Sequence, residues 1–240
     1  MKIRTLCLAA LALTFSACSA LAFGTWDIVR GNGTVRLESR DVPSFTGVEN
    51  QGSGLVRISQ GPSLQVTVET DSNILPYVET EVRSGVLALR TRPGISINPT
   101  RLVFRITVPE LSHVAIEGSG DVRLETPIDA DRLSIRIGGS GSVEGELDAL
   151  QISAEIDGSG SISLRGAARA ARFEIDGSGD IDAADLACED ATVRIAGSGS
   201  VTLQATRTLD VEVNGSGNVR YRGGAKVSVR SSGSGRVTEY

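Results

Sequence analysis

The chain has very few of the side chains that usually build metal or nucleophilic sites. Its 240 residues include a single histidine, His113. A zinc site normally needs several His or Cys ligands, so His113 would have to recruit Asp or Glu partners. The sequence places no such residues at the usual ligand spacing. A catalytic triad with His113 as its base also lacks support, because the sequence has no G-x-S-x-G motif.

Cysteine is scarce too, with three copies at Cys7, Cys18 and Cys188. The first two lie in the apolar N-terminal segment, which leaves Cys188 without a partner. No internal disulfide is therefore expected, although exported proteins often contain them. We interpret Cys188 as a small, half-buried residue at a turn and not as a reactive thiol.

Aromatic residues make up 4% of the sequence, and there is one tryptophan. Ligand grooves are lined mainly by apolar and aromatic side chains. So few aromatic rings argue against a long groove for carbohydrate chains. This counts against a polysaccharide-active enzyme without excluding it.

What the sequence does contain is a recurring tripeptide, Gly-Ser-Gly. Seven copies occur from residue 118 to residue 235, and their first glycines are 18 to 21 residues apart. These copies begin at Gly118, Gly139, Gly158, Gly177, Gly197, Gly215 and Gly233. An eighth copy begins at Gly52, and Gly31-Asn32-Gly33 is a variant of it. A fixed period of this length is typical of solenoids and repeat arrays.

Each repeat alternates apolar and polar residues. In the unit Gly158–Asp176, Ile162 and Leu164 are two residues apart, as are Phe173 and Ile175. A period of two indicates strands that are buried on one face, and such a face is covered only when units stack. We therefore predict an all-β fold: a right-handed parallel β-helix or solenoid with a Gly-Ser-Gly turn every 18–21 residues. Glycine at the turns would allow close approach of successive backbones.

Several longer stretches, in this order, resemble a known family. They are Gly31–Gly61 (GNGTVRLESRDVPSFTGVENQGSGLVRISQG), Asp71–Val82 (DSNILPYVETEV) and Ile106–Val122 (ITVPELSHVAIEGSGDV), followed by the Gly-Ser-Gly units. The series is similar to the bacterial envelope family of autotransporter adhesin head domains, also called the GIN domain. The resemblance covers nearly the whole mature chain. It implies a β-helical protein that is exported or associated with the cell surface, and it brings no catalytic residues.

The N-terminus has the layout of a secretory signal peptide. Lys2 and Arg4 precede an apolar run, Leu6–Phe15, which is too short for a permanent membrane span. Two cleavage sites compete. Phe15-Ser16-Ala17-Cys18 resembles a lipobox, which would remove residues 1–17 and leave Cys18 lipidated. Ala20-Leu21-Ala22 fits a small-x-small site, which would remove residues 1–22. We therefore expect an exported protein, either an outer-membrane lipoprotein or a periplasmic or cell-surface protein.

The rest of the chain is interpreted as one continuous domain. Residues 23–117 are expected to form irregular N-terminal rungs, with a hairpin turn at Arg83-Ser84-Gly85 and a capping role. Residues 118–240 are expected to form the regular Gly-Ser-Gly rungs. The last strand, near Val237, would leave an open edge that another copy could cover, so a homo-oligomer is a further expectation.

Aspartates beside the tripeptides are the candidate ion site. Asp157 and Asp176 directly precede Gly-Ser-Gly in successive units, and Asp180 directly follows one. Stacked units would place equivalent carboxylates roughly 5 Å apart, an arrangement that could bind Ca²⁺. The alternative interpretation is a solvated edge rich in turn-forming residues. The glycine turns are not phosphate loops, because they lack the following Lys-Ser/Thr and helix. No cofactor is predicted.

The charge balance restricts the partners. The full chain has a formal net charge of −5. Loss of the N-terminal segment removes two basic residues and gives −7, since 22 Lys and Arg then face 29 Asp and Glu. An acidic surface argues against nucleic acid and against anionic lipid headgroups as direct partners, so a lipid anchor is the expected route to a membrane.

These observations favour a non-enzymatic cell-envelope protein with an adhesin-like binding or structural surface. Its ligand would be an envelope or surface protein or glycan. Two alternatives stay open. One is a polysaccharide-active β-helix enzyme, which would need convergent carboxylates in a groove. The other is a self-assembling envelope scaffold joined through its terminal rung.

Overall fold

The computed structural model describes residues 27–240. The predicted signal peptide and Cys18 therefore lie outside the described residues. Strands account for 70% of the structure and helix for 1%, and the chain forms a stacked coil of about seven turns. The predicted all-β solenoid is confirmed. Over residues 27–240, no helix is long and apolar enough to cross a membrane.

Nineteen strands are present in this part of the chain. The first nine are β1 (Asp27–Arg30), β2 (Val35–Arg40), β3 (Gly47–Asn50), β4 (Leu55–Gln60), β5 (Gln65–Asp71), β6 (Val78–Arg83), β7 (Val86–Thr91), β8 (Ile95–Asn98) and β9 (Leu102–Val108). The next ten are β10 (His113–Ile116), β11 (Val122–Leu124), β12 (Ile128–Ile137), β13 (Ser142–Ile156), β14 (Ser161–Gly177), β15 (Asp180–Gly197), β16 (Ser200–Gly215), β17 (Asn218–Arg222), β18 (Lys226–Gly233) and β19 (Arg236–Glu239). One 3₁₀ turn, Leu75–Tyr77, precedes β6.

The regular part of the solenoid is built by parallel pairing of successive coils. Between β13 and β14 the register joins Ser142 to Ser161 and Ile156 to Ile175, a step of one repeat. The same parallel pairing continues through β15 and β16 to β18 and β19. Equivalent residues of successive units therefore lie above one another, so the sequence period becomes a structural period.

Each coil turns its apolar residues inward in three groups. In β14 the first group is Ile162 and Leu164, the second is Ala168, and the third includes Phe173 and Ile175, all at most 4% exposed. Alternation in the sequence indicates only the first and the third of these groups. The second escapes it because Ala168 is buried alone between the exposed residues Ala167 and Arg169, too short a pattern to recognise.

The inward residues stack in columns along the solenoid. One column is Ile116, Ile137, Ile156, Ile175, Ile195 and Val213, and each of its members is at most 1% exposed. Side-chain volumes compensate between coils. Ala154, for example, pairs with Phe173, and both are fully buried. Close packing of this kind makes the interior sensitive to any change in volume.

The Gly-Ser-Gly corners stack backbone on backbone. A Cβ on Gly160 would lie 2.6 Å from the carbonyl oxygen of Gly141 and 2.6 Å from Cγ2 of Ile137. Gly179 repeats this arrangement with the Gly160 oxygen and Ile156. Any larger residue would therefore force the coils apart. From Gly177 onward the first glycine also has a positive φ, between 128° and 150°, which other residues rarely adopt.

The N-terminal strands are arranged differently. The coil of β3 and β4 lies inside the stack, because β3 pairs in parallel with β7 and β10, and β4 with β9 and β11. Beyond β7 and β9 the pairing in the large sheet is antiparallel, with β6 on β7, β5 on β9 and β2 on β5, while β1 and β8 form a separate parallel pair. The predicted hairpin at Arg83-Ser84-Gly85 is confirmed, and both Ser84 and Gly85 have positive φ. Antiparallel strands thus cap this end.

A buried carboxylate fastens the loops of the cap. Asp71 is fully buried and accepts hydrogen bonds from the backbone N–H of Gly33 at 2.7 Å and from the N–H and Oγ1 of Thr100 at 2.8 and 2.9 Å. Burial alone would raise the pKa of Asp71, but these hydrogen bonds outweigh it and hold the pKa below its usual value. Asn73 binds the same loop, since its amide donates to the Arg30 carbonyl at 2.7 Å. Asp71 and Asn73 therefore both fasten the end of β5 to the loop at residues 30–33.

The corner packing predicts different effects of the same substitution at two glycines from successive corners. Gly160→Ala should lower the free energy of unfolding by about 1–3 kcal/mol, because the new methyl group overlaps a backbone oxygen that cannot turn away. Gly138→Ala is the matched control. Its Cβ would meet mainly the mobile end of Glu117, at 2.7 Å, so a change within about 0.5 kcal/mol is expected.

Urea unfolding followed by circular dichroism would measure both variants. Equal unfolding midpoints for Gly160→Ala and Gly138→Ala would contradict the backbone stacking at the corner.

Candidate functional surface

The outer edge of the solenoid carries a row of serines, one from each tripeptide. We call this row the serine edge; its members are Ser119, Ser140, Ser159, Ser178, Ser198, Ser216 and Ser234, and all are exposed. From Ser140 onward, the backbone N–H of each of these serines donates to a glycine carbonyl of the preceding coil. The N–H of Ser178 donates to the Gly158 carbonyl at 3.0 Å, and that of Ser198 to the Gly177 carbonyl at 2.9 Å. The hydroxyls thus sit on a rigid backbone at a constant spacing.

The aspartates expected to form an ion ladder lie beside this edge. Asp157 and Asp176 follow the paired residues Ile156 and Ile175, so they hold equivalent positions in successive coils. Asp157 forms an ion pair with Arg136 of the preceding coil. The next member of the column is Ala196, which pairs with Asp176. The structure therefore brings two carboxylates together, next to an arginine.

Asp180 is on the other side of the corner and contacts the next coil. Its Oδ1 accepts a hydrogen bond from the N–H of Ser200 at 3.1 Å. Asp121 makes the same contact with the N–H of Ser142 at 3.0 Å and also accepts from its hydroxyl at 2.6 Å. Both carboxylates thus contribute hydrogen bonds between coils. Across residues 27–240, no three His, Cys, Asp or Glu side chains converge as a metal-binding group.

The residues that follow each tripeptide form one long face, which we call the leading face; it comprises 122–124, 142–146, 161–165, 180–183, 200–204 and 218–222. A groove of about 430 Å³ crosses its first coils. The groove is lined chiefly by Arg123, Glu144, Ser163, Arg165, Asp182 and Asp185.

Opposite charges meet across the coils of the leading face. Arg123 is 2.7 Å from Glu144, and Arg165 is 3.1 Å from Glu146. These are exposed pairs, so each contributes little to stability. The two arginines neutralise the negative charge of Glu144 and Glu146. The groove therefore presents paired charges that can still form hydrogen bonds with a ligand.

A bulge lies beside this groove, at the lining residue Asp185. The register between β15 and β16 shifts after Ala183, which leaves residues 184–186 without partners in β16, although Asp185 and Leu186 pair with Arg165 and Gly166 of β14. Arg222, two coils away, donates from Nη2 to the Ala184 carbonyl at 2.7 Å. The side chain of Asp185 remains 82% exposed. In the sequence, the only sign of the bulge is the repeat length: the unit from Gly177 to Gly197 has 20 residues, whereas the units before and after it have 19 and 18.

A second shallow groove, of about 440 Å³, is mostly apolar. It lies on the part of each coil that precedes the tripeptide, and Leu133, Ile152 and Ala171 line it together with polar residues. Leu150, nearby, is 54% exposed. Nothing in the sequence singled out this groove, because small residues at strand bends give no distinctive pattern.

Neither His113 nor Cys188 lines these two grooves. His113 is half-buried in β10, where it pairs with Gly47 and Ser134, so it lies between strands and not at a sheet edge. Cys188 is 1% exposed and stacks between Ala168 and Ala205. The expectation of a half-buried cysteine was wrong, because Cys188 occupies an inward column of small residues. Burial raises the pKa of its thiol to about 12, which disfavours the reactive thiolate.

Fold and surface together define a capped parallel β-solenoid with long, regular polar faces. The chain belongs to the family described as "Putative auto-transporter adhesin, head GIN domain", whose model matches residues 44–225. The resemblance found in the sequence is therefore confirmed. No curated protein matches the chain.

Solved bacterial structures share this fold. A "putative adhesin" from Bacteroides fragilis is 24% identical with a TM-score of 0.85, over 88% of this chain and 100% of that one. A "putative lipid binding protein" from Parabacteroides distasonis is 25% identical with a TM-score of 0.78, over 89% and 100% of the two chains. A "putative adhesin" from the same species is 27% identical with a TM-score of 0.75, over 89% and 100%.

Proposed function

We propose that this protein is a non-enzymatic, exported cell-envelope protein that acts as an adhesin-like binding surface. The observation that carries the proposal is the serine edge, a row of seven exposed serines, six of which are held by backbone hydrogen bonds to the preceding coil. Seven serines at one per coil extend over about 29 Å, given a strand spacing of about 4.8 Å. Such a row matches an extended surface glycan or protein segment with a similar repeat.

Family membership supports this function, as does the adhesin description of similar structures. The ion pairs of the leading face support it as well. Glu144 and Glu146 are each paired with an arginine, whereas glycoside hydrolysis uses one carboxylic acid and one free carboxylate on opposite sides of the bond. A surface that binds its ligand through hydrogen bonds does not need one protonated and one ionised carboxyl group.

The serine edge can be tested with two double variants of equal charge change. The full chain with Cys18→Ser is labelled and applied to an array of purified glycans and extracellular-matrix proteins. Ser159→Arg with Ser178→Arg should weaken binding at least about tenfold, because two bulky cations interrupt the row. Ala167→Arg with Ala187→Arg is the control, since these exposed, paired residues lie on adjacent coils away from the edge; binding should stay within about twofold.

Three results would overturn the proposal: no binding to any probe, equal losses in both variants, or release of new reducing ends from a glycan. The last of these would favour the carbohydrate-active alternative.

We also propose that Cys18 is lipidated and anchors the protein in the outer membrane. The support is the lipobox-like Phe15-Ser16-Ala17-Cys18 after a signal-like segment. Expressed with its own N-terminus, the wild-type protein should show a diacyl or triacyl mass increment and partition into a detergent phase. Cys18→Ser should lose both properties. A mature wild-type chain that begins at Phe23 without added mass would instead indicate a soluble periplasmic or secreted protein.

A further inference from the structure

The charge of the solenoid is unevenly distributed along its length. Residues 111–217 contain 8 basic and 19 acidic side chains, which gives a net charge of −11. Residues 218–240 contain 5 basic side chains and a single acidic one, Glu239, which gives +4. The acidic average of the chain therefore hides a basic end. We call residues 218–240 the basic end.

Most cations of the basic end have no carboxylate partner. Arg220, Lys226, Arg230 and Arg236 are all exposed, and none forms an ion pair in the part of the chain that the structure describes. Only Arg222 contacts a carboxylate, that of Asp185 at 3.4 Å. In contrast, most arginines of residues 27–217 are paired, as Arg123 and Arg165 are. The positive charge at this end is thus available to a partner.

Apolar and aromatic groups are exposed at the same end. Val229 is 47% exposed and Tyr240 is 48% exposed. Val229 pairs with Val211, an inward residue, but no described strand lies beyond β18 to cover it. Tyr240 lies against arginines, with the guanidinium carbons of Arg220 and Arg222 at 5.0 and 5.9 Å from its ring centre. Cations and apolar surface therefore occur together.

We propose that the basic end binds the surface of an anionic lipid bilayer. Exposed Lys and Arg side chains are attracted to anionic headgroups, while an amphipathic tyrosine and small apolar side chains favour the interface. A second copy docked through the same end is disfavoured, because two ends of +4 would repel each other. The proposal does not rest on the serine edge, which runs along the side of the solenoid and reaches the basic end only at Ser234.

Vesicle flotation tests this contact without interference from a lipid anchor. The full chain with Cys18→Ser is mixed with vesicles of phosphatidylcholine alone or of phosphatidylcholine with phosphatidylglycerol. Binding is expected only to the anionic vesicles, and it should fall steeply as salt is raised. Ser159→Arg with Ser178→Arg should bind these vesicles at least as well as the parent, so failure of the adhesin proposal can be distinguished from failure of this one.

Charge reversal identifies the residues that bind. Arg220→Glu, Arg230→Glu and Arg236→Glu together should weaken binding at least about 100-fold, given the usual contribution of each cation near an anionic bilayer. Arg36→Glu, Arg132→Glu and Arg169→Glu together form the matched control. These arginines are also exposed and form no ion pair within residues 27–240, but they lie elsewhere on the solenoid. If the reversed variant loses its circular dichroism spectrum, the same three arginines changed to Gln replace it.

Three outcomes would overturn the proposal. The first is no binding of the parent protein to anionic vesicles at low salt. The second is an equal loss in the two sets of variants. The third is binding to a soluble polyanion, dextran sulfate, without binding to vesicles, which would assign the basic end to acidic polymers.

Discussion

The structure depends on the contact between glycine backbones at each corner of the solenoid. The carbonyl oxygen of one coil occupies the space that a Cβ of the next would need, as Gly141 does beneath Gly160. This contact sets the distance between coils at the corner, and parallel pairing maintains it along the strands. The isoleucine column is packed against the same glycines, so the corner and the core determine each other's position.

A fixed distance between coils also determines what the surface can do. Each outward position of the repeat becomes a row with the spacing of the strands, so a side chain repeated in sequence is displayed as a ladder. The serine edge is such a row. The interior is filled by side chains from all three inward segments, which leaves the exposed faces, the shallow grooves and the ends of the solenoid as sites for partners. The basic end differs from the faces because its sequence departs from the acidic repeats.

The sequence predicted the parts of the fold that are local and repeated. Alternation around Ile162 and Phe173 indicated the inward faces, and the Gly-Ser-Gly period indicated stacking. It did not predict contacts between distant segments. The insertion of the β3–β4 coil between β7 and β10 has no periodic signal, and the Asp71 carboxylate binds residues 29 and 38 positions away. The burial of Cys188 was missed because its neighbours in the column come from other units. The basic end can be found in the sequence when charge is counted over residues 218–240, but it is lost when a single net charge is taken for the whole chain.

Hydrogen exchange at the corner serines tests the central claim most directly. Their side chains are exposed, yet the N–H groups of Ser159, Ser178 and Ser198 donate to glycine carbonyls of the preceding coil at 3.2, 3.0 and 2.9 Å. If backbone stacking at the corners holds the solenoid together, these amides should exchange as slowly as those in the neighbouring strands. Exchange as fast as that of an exposed loop would show that the corners are open and would contradict the account.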